Sequence, residues 1–118
     1  MKKALIVEDN QDLQFILTGQ IKSMGFSAIT ANNGMEAVEK AIKEKPDLIL
    51  MDIMLPGLDG REATRRIRSK QETKEIPILA ATAITNKSQL RWCIEAGCND
   101  VIVKPFTAED LQEKIRQL

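Results

Sequence analysis

The chain has 118 residues, 43% of them apolar, and its 17 basic and 17 acidic side chains cancel to a formal net charge of zero. That length and apolar content suit one globular domain, and exclude a disordered tail or a membrane protein. A neutral surface lacks the electrostatic footprint of nucleic-acid binding, and the absence of histidine excludes imidazole catalysis, histidine-ligated zinc and phosphohistidine on this chain.

In chain order, the apolar run Ala4-Leu5-Ile6-Val7 is too short for a secretory h-region and is closed at once by Glu8 and Asp9. No stretch approaches the length of a membrane span, so the expected location is the cytoplasm. Four further short runs follow: Ser27–Thr30, Leu48–Met51, Ile78–Ala81 and Val101–Val103. Most are continuously apolar, as strands covered on both faces of a parallel sheet are. Helical periodicity fills the intervals. Leu13, Ile16, Leu17, Ile21 and Met24 predict an inward stripe on a first helix, closed by Gly25. Ala37, Val38, Ala41 and Ile42 form a second stripe, which Pro46 ends. A third helix is predicted from about Asp59 to Ser69, with Arg61, Arg65, Arg66 and Arg68 as a solvated, ion-paired face. A fourth runs from about Asn86 to Ala96, stopped by Gly97, and a fifth follows the cap Thr107. Five strand–helix units predict an α/β three-layer sandwich over residues 1–118, either free-standing or excised from a longer protein.

In open parallel sheets, ligands bind beyond the carboxyl ends of the strands. Glu8 and Asp9 follow the first strand, Asp52 the third, Thr82 closes the fourth, and Lys104-Pro105 follows the fifth. The second strand leads only to Asn32 and Asn33. Taken singly, these are ordinary turn formers, caps or surface charges. Their convergence on one sheet edge changes the reading. Two carboxylates about 4 Å apart repel by roughly 4 kcal/mol at an effective dielectric near 20, a cost that a divalent cation offsets. Oxygen donors alone favour a hard ion such as magnesium, with manganese as an alternative occupant. Lys104 and Thr82 supply a charge partner and a hydroxyl donor for a phosphoryl group. Cys93 and Cys98, spaced C-x4-C, match neither a redox nor a zinc motif and read as reduced packing residues.

The segments Ala4–Asn10, Pro46–Gly60, Thr82-Ala83 and Val103-Lys104-Pro105-Phe106 together resemble the receiver domain of bacterial two-component response regulators, in the family's order and spacing. The resemblance implies a flavodoxin-like (βα)5 fold with strand order 2-1-3-4-5. It implies a phosphorylation-controlled switch rather than a conventional enzyme, with Asp52 accepting a phosphoryl group from the phosphohistidine of a sensor histidine kinase or phosphotransfer domain. It further implies Mg²⁺ held by Asp9, Asp52 and the Met54 carbonyl, with Glu8 acting through water. Lys104 and Thr82, flanked by Ala83 and Pro105, would bind the phosphoryl oxygens, and the Lys104–Pro105 bond would be cis. A downstream partner would dock on the face formed by the fourth helix, fifth strand and fifth helix, with no direct nucleic-acid or membrane contact.

Val101 stands where the family commonly has a switching aromatic ring, so signalling is expected to pass through repacking of the fourth helix instead. Met54 and Ile84, both apolar and beside the site, are expected to shield an acyl phosphate from water. Trp92 points away from an inward side taken as Leu90, Cys93, Ile94 and Gly97, making it a candidate partner anchor. Three rivals are weighed. A nucleotide-binding domain needs a glycine-rich turn after the first strand, where Glu8-Asp9-Asn10 stands. An aspartyl-phosphate hydrolase wants a second acid where Met54 lies. The third rival is a receiver-like scaffold acting by contact alone, and the receiver of a hybrid histidine kinase is an alternative context for the switch.

Overall fold

A computed structural model describes residues 2–55, 57–83 and 85–118. Ten elements alternate: β1 (Lys3–Val7), α1 (Gln11–Ser23), β2 (Ser27–Ala31), α2 (Gly34–Glu44), β3 (Leu48–Asp52), α3 (Gly60–Arg68), β4 (Ile78–Thr82), α4 (Lys87–Ala96), β5 (Asp100–Val103) and α5 (Ala108–Arg116). The strands pair in parallel in the order β2-β1-β3-β4-β5.

Alternation along each strand divides the core in two. Leu5, Val7, Ile49, Met51 and Ile78 face one layer with Ala63, Ile67 and Cys93 of the helices. Ala4, Ile6, Leu48, Leu50 and Leu79 face the other with Leu17, Ile21 and Leu111. Thus α2, α3 and α4 cover one face of the sheet, and α1 and α5 the other. Each fully buried Leu or Ile contributes roughly 1.5–3 kcal/mol, which explains why runs apolar at every position became the central strands. The edge strand β2 is only half-buried until Ala31.

Each helix is started by a side chain that accepts from its first turn. Asn10, Asn33, Asp59 and Asn86 do so through side-chain oxygens, and Thr107 forms a reciprocal capping box with Asp110. All five caps lie in loops leaving the carboxyl ends of strands, so the helix starts and the candidate residues share one edge.

Three sequence expectations are corrected. Ile16 is 53% exposed, because the inward face of α1 is Gln14, Leu17 and Ile21. Ile94 is 47% exposed, and the buried side of α4 is Cys93 and Ala96. Arg68 is not part of a solvated arginine face. Its guanidinium donates to the carbonyls of Gly97 (2.9 Å), Lys74 (3.0 Å) and Ile76 (2.7 Å) and to Asn99 Oδ1 (2.8 Å), tying the end of α3 to the end of α4. Arg65 and Arg66 do pair with Glu62 on the surface.

Candidate functional site

The first strand ends at Val7, and Glu8 continues its ladder by donating its N–H to the Ala31 carbonyl at 3.0 Å. That bond draws Glu8 under the edge, where it is 2% exposed, while Asp9 emerges into solvent. Asp52 closes β3, in register with Ala81 of β4, and is 4% exposed. One carboxylate oxygen from each of Glu8, Asp9 and Asp52 lies within 4.8 Å of the other two.

Lys104 spans the cluster from the opposite side. Its Nζ donates to Glu8 Oε1 at 3.2 Å and lies 3.4 Å from Asp52 Oδ1. Its backbone N–H donates to the Thr82 carbonyl at 2.8 Å, and its bond to Pro105 is cis, as the family resemblance implied. Asp52 Oδ1 also accepts the N–H of Met54 at 3.1 Å, a tight turn at the end of β3. The start of α3 closes from below: a Cβ on Gly60 would sit 2.3 Å from the Asp52 carbonyl oxygen, so only glycine permits this approach.

Burial raises the Glu8 carboxyl above its ordinary value and the Asp52 charge adds to this, while the Asn10 N–H and the Lys104 ammonium act against it. Three carboxylates against one ammonium leave a net negative, all-oxygen cluster. That donor chemistry fits a small hard divalent cation.

The other candidates are placed as follows. Thr82 ends β4, fully buried, and Ala83 is exposed in the loop beyond it. The Met54 side chain is 64% exposed. Val101 is half-buried and packs on the α3–α4 side of the core. Trp92 is 46% exposed, with the Arg61 guanidinium 5.3 Å from its ring centroid, a cation–π contact joining α3 to α4. Ile84 lies outside the described residues. Cys93 and Cys98 are free and buried, and burial pushes the Cys98 thiol up to about 11.

Two contributors escape the sequence reading. Gln14, buried on α1, donates Nε2 to the Glu8 carbonyl (2.9 Å) and to Asn32 Oδ1 (3.0 Å). Asn32 therefore does support the edge, from the loop after β2. The detectable signal is the spacing Gln14–Leu17–Ile21, which places an amide in the apolar stripe. Beside the cluster, a groove of about 430 Å³ is lined by Leu13, Ile16, Leu17, Ala83, Lys104 and Phe106 among others. Phe15, next to Ile16 on α1, is 81% exposed.

A family model described as "Response regulator receiver domain" matches residues 4–116. Protein PilH of Pseudomonas aeruginosa is 36% identical over 115 residues, covering 98% of this chain and 95% of that protein. The alkaline phosphatase synthesis transcriptional regulatory protein PhoP of Bacillus subtilis is also 36% identical, over 99% of this chain, but the chain spans only 48% of that relative's length. Among solved structures, the receiver domain of sensor histidine kinase PA1611 from Pseudomonas aeruginosa PAO1 superposes with a TM-score of 0.91 at 36% identity, covering 98% of this chain and 95% of that one. That crystal structure has a magnesium ion coordinated in its active-site cleft.

Proposed function

Because the chain belongs to the response regulator receiver domain family of two-component signalling, we propose that it is a switch that accepts a phosphoryl group on Asp52 from the phosphohistidine of a sensor histidine kinase or phosphotransfer domain. The observation that carries this reading is the position of Asp52. It is a buried carboxylate at the end of a central strand, within 4.8 Å of two other acids and 3.4 Å from a lysine ammonium.

The chain's residues divide the work. An Asp52 carboxylate oxygen attacks phosphorus of a phosphoimidazole protonated on its other ring nitrogen, the P–N bond breaks, and its electron pair stays on that nitrogen, leaving neutral imidazole and an aspartyl phosphate. Lys104 pairs with a phosphoryl oxygen, and the Thr82 hydroxyl donates to another. Asp9, Asp52 and the Met54 carbonyl would hold the cation, with Glu8 acting through water. Magnesium bound there supplies charge neutralisation and polarises the phosphoryl oxygens.

Donor docking is assigned to the groove beside α1, because exposed Ile16 lines it together with Lys104 and Ala83. The phosphoryl group then adds about −1.5 to −2 charges among existing carboxylates, so Lys104 and the loop after Thr82 reorganise around it. The output partner is assigned to the face of α4, β5 and α5, where Ile94 and Val103 are exposed, whereas Trp92 lies on the flank of α4 that meets Arg61 of α3. Since the PA1611 neighbour is part of a sensor kinase, a receiver within a hybrid kinase is the second context for the same chemistry.

Intact-mass measurement after incubation with acetyl phosphate and Mg²⁺ tests the reading. One added phosphoryl group is expected, mapped to Asp52, abolished by Asp52→Asn and by omitting the cation. An unmodified wild-type chain refutes it.

A further inference from the structure

We propose that Gln14 is a positioning residue for the cation site: its side-chain amide fixes the peptide joining Glu8 to Asp9, and so the direction in which Asp9 presents its carboxylate. The inference rests on the reading of Glu8, Asp9 and Asp52 as a Mg²⁺ site.

Gln14 occupies an inward position of α1 in line with Leu17 and Ile21, where an apolar side chain would ordinarily pack. Burying an amide there is costly unless its hydrogens find acceptors. They do. An amide nitrogen carries two hydrogens, and Nε2 lies 2.9 Å from the Glu8 carbonyl and 3.0 Å from Asn32 Oδ1. The third nearby acceptor, the Ala31 carbonyl, is farther at 3.4 Å and already receives the Glu8 N–H. Asn32 is held in turn by Gln11 Nε2 at 2.9 Å. The amide therefore clamps the loop after β1 to the loop after β2 from inside the protein.

The clamp bears on chemistry because the peptide unit is planar. Fixing the Glu8 carbonyl fixes the plane shared with the Asp9 nitrogen and Cα, so the Asp9 side chain is left with its own φ and its rotamers. Glu8 is restrained at its other end as well, its Oε2 accepting the Asn10 N–H at 3.2 Å. Groups that orient metal ligands without touching the metal typically change affinity by roughly 10–100-fold when removed.

The test is calorimetric Mg²⁺ titration of the full chain, paired with the Mg²⁺ dependence of phosphorylation by acetyl phosphate. Gln14→Met keeps the side-chain length and removes the donor. It is expected to weaken Mg²⁺ binding roughly tenfold and raise the half-saturating Mg²⁺ equally, with the rate at saturating Mg²⁺ near wild type. A merely structural glutamine predicts a lower melting temperature with unchanged Mg²⁺ affinity, and that result overturns the proposal. Should Gln14→Met fail to fold, Gln14→Asn applies the same criterion, since it keeps the amide but falls a methylene short of the Glu8 carbonyl. If the wild-type chain itself does not bind Mg²⁺, the reading of the site fails. If wild type binds and the variants bind equally, only the role of Gln14 fails.

Discussion

Gly60 shows how closely this site is built into the backbone. The first residue of α3 meets the peptide of Asp52 with no room for a methyl group, 2.3 Å from its carbonyl oxygen and 2.8 Å from the Ile53 Cα. Both obstacles are main-chain atoms, so relief requires moving α3 or the end of β3. Gly60→Ala is therefore expected to lose about 1–3 kcal/mol of stability, measured by urea unfolding, and to slow acceptance at Asp52. An unchanged unfolding midpoint would contradict that close approach. The convergence of Asp9, Asp52 and Lys104 is legible in the sequence because the parallel-sheet rule says where strand ends meet. Gln14 and Asn32 are not, since a neutral amide's partners are backbone carbonyls that only the folded register brings near.

Among the elements, β1, β3 and β4 are legible because burial on both faces leaves an unbroken apolar run. The inward faces of α1 and α4 are less so. Ile16 and Ile94 are apolar yet exposed, since a helix lying on a sheet needs only a narrow stripe and nothing in periodicity forbids apolar residues beside it. Arg68 is the larger surprise. Its position among surface arginines conceals four hydrogen bonds that join the ends of α3, α4 and the segment before β4. Hydrogen bonds from a charged donor contribute roughly 1.5–3 kcal/mol each where buried, and these are partly exposed and share one side chain. Arg68→Ala is expected to cost about 2 kcal/mol in chemical denaturation. A loss no larger than that of Arg65→Ala, which removes only a surface pair, would show that the staple is dispensable.

At the scale of the whole molecule, stability carries an alkaline signature. Burial raises the Cys98 thiol from its usual 9.0 to about 11, with the Thr64 hydroxyl 3.7 Å from Sγ acting in the opposite sense. The folded state thus disfavours the thiolate. This contribution is complete below the unfolded value of 9.0 and is lost as pH rises toward the folded value near 11. Between about pH 8 and about pH 10.5, the wild-type chain is expected to lose on the order of 2 kcal/mol more than Cys98→Ala, read from urea midpoints. Equal losses would show that the thiol ionises freely in the fold.

The Arg68 staple also sets the mechanics of the molecule. It holds the foot of α4 at Gly97, at the edge of the sheet remote from the carboxylates, while the head of the same helix begins a few residues beyond Thr82. A rod about 15 Å long, pinned at one end and nudged at the other, behaves as a lever with its fulcrum at the guanidinium. Any travel started at the head would be greatest near Lys87 and would fade toward Ala96. The upper half of that helix is where a partner could sense the displacement most keenly.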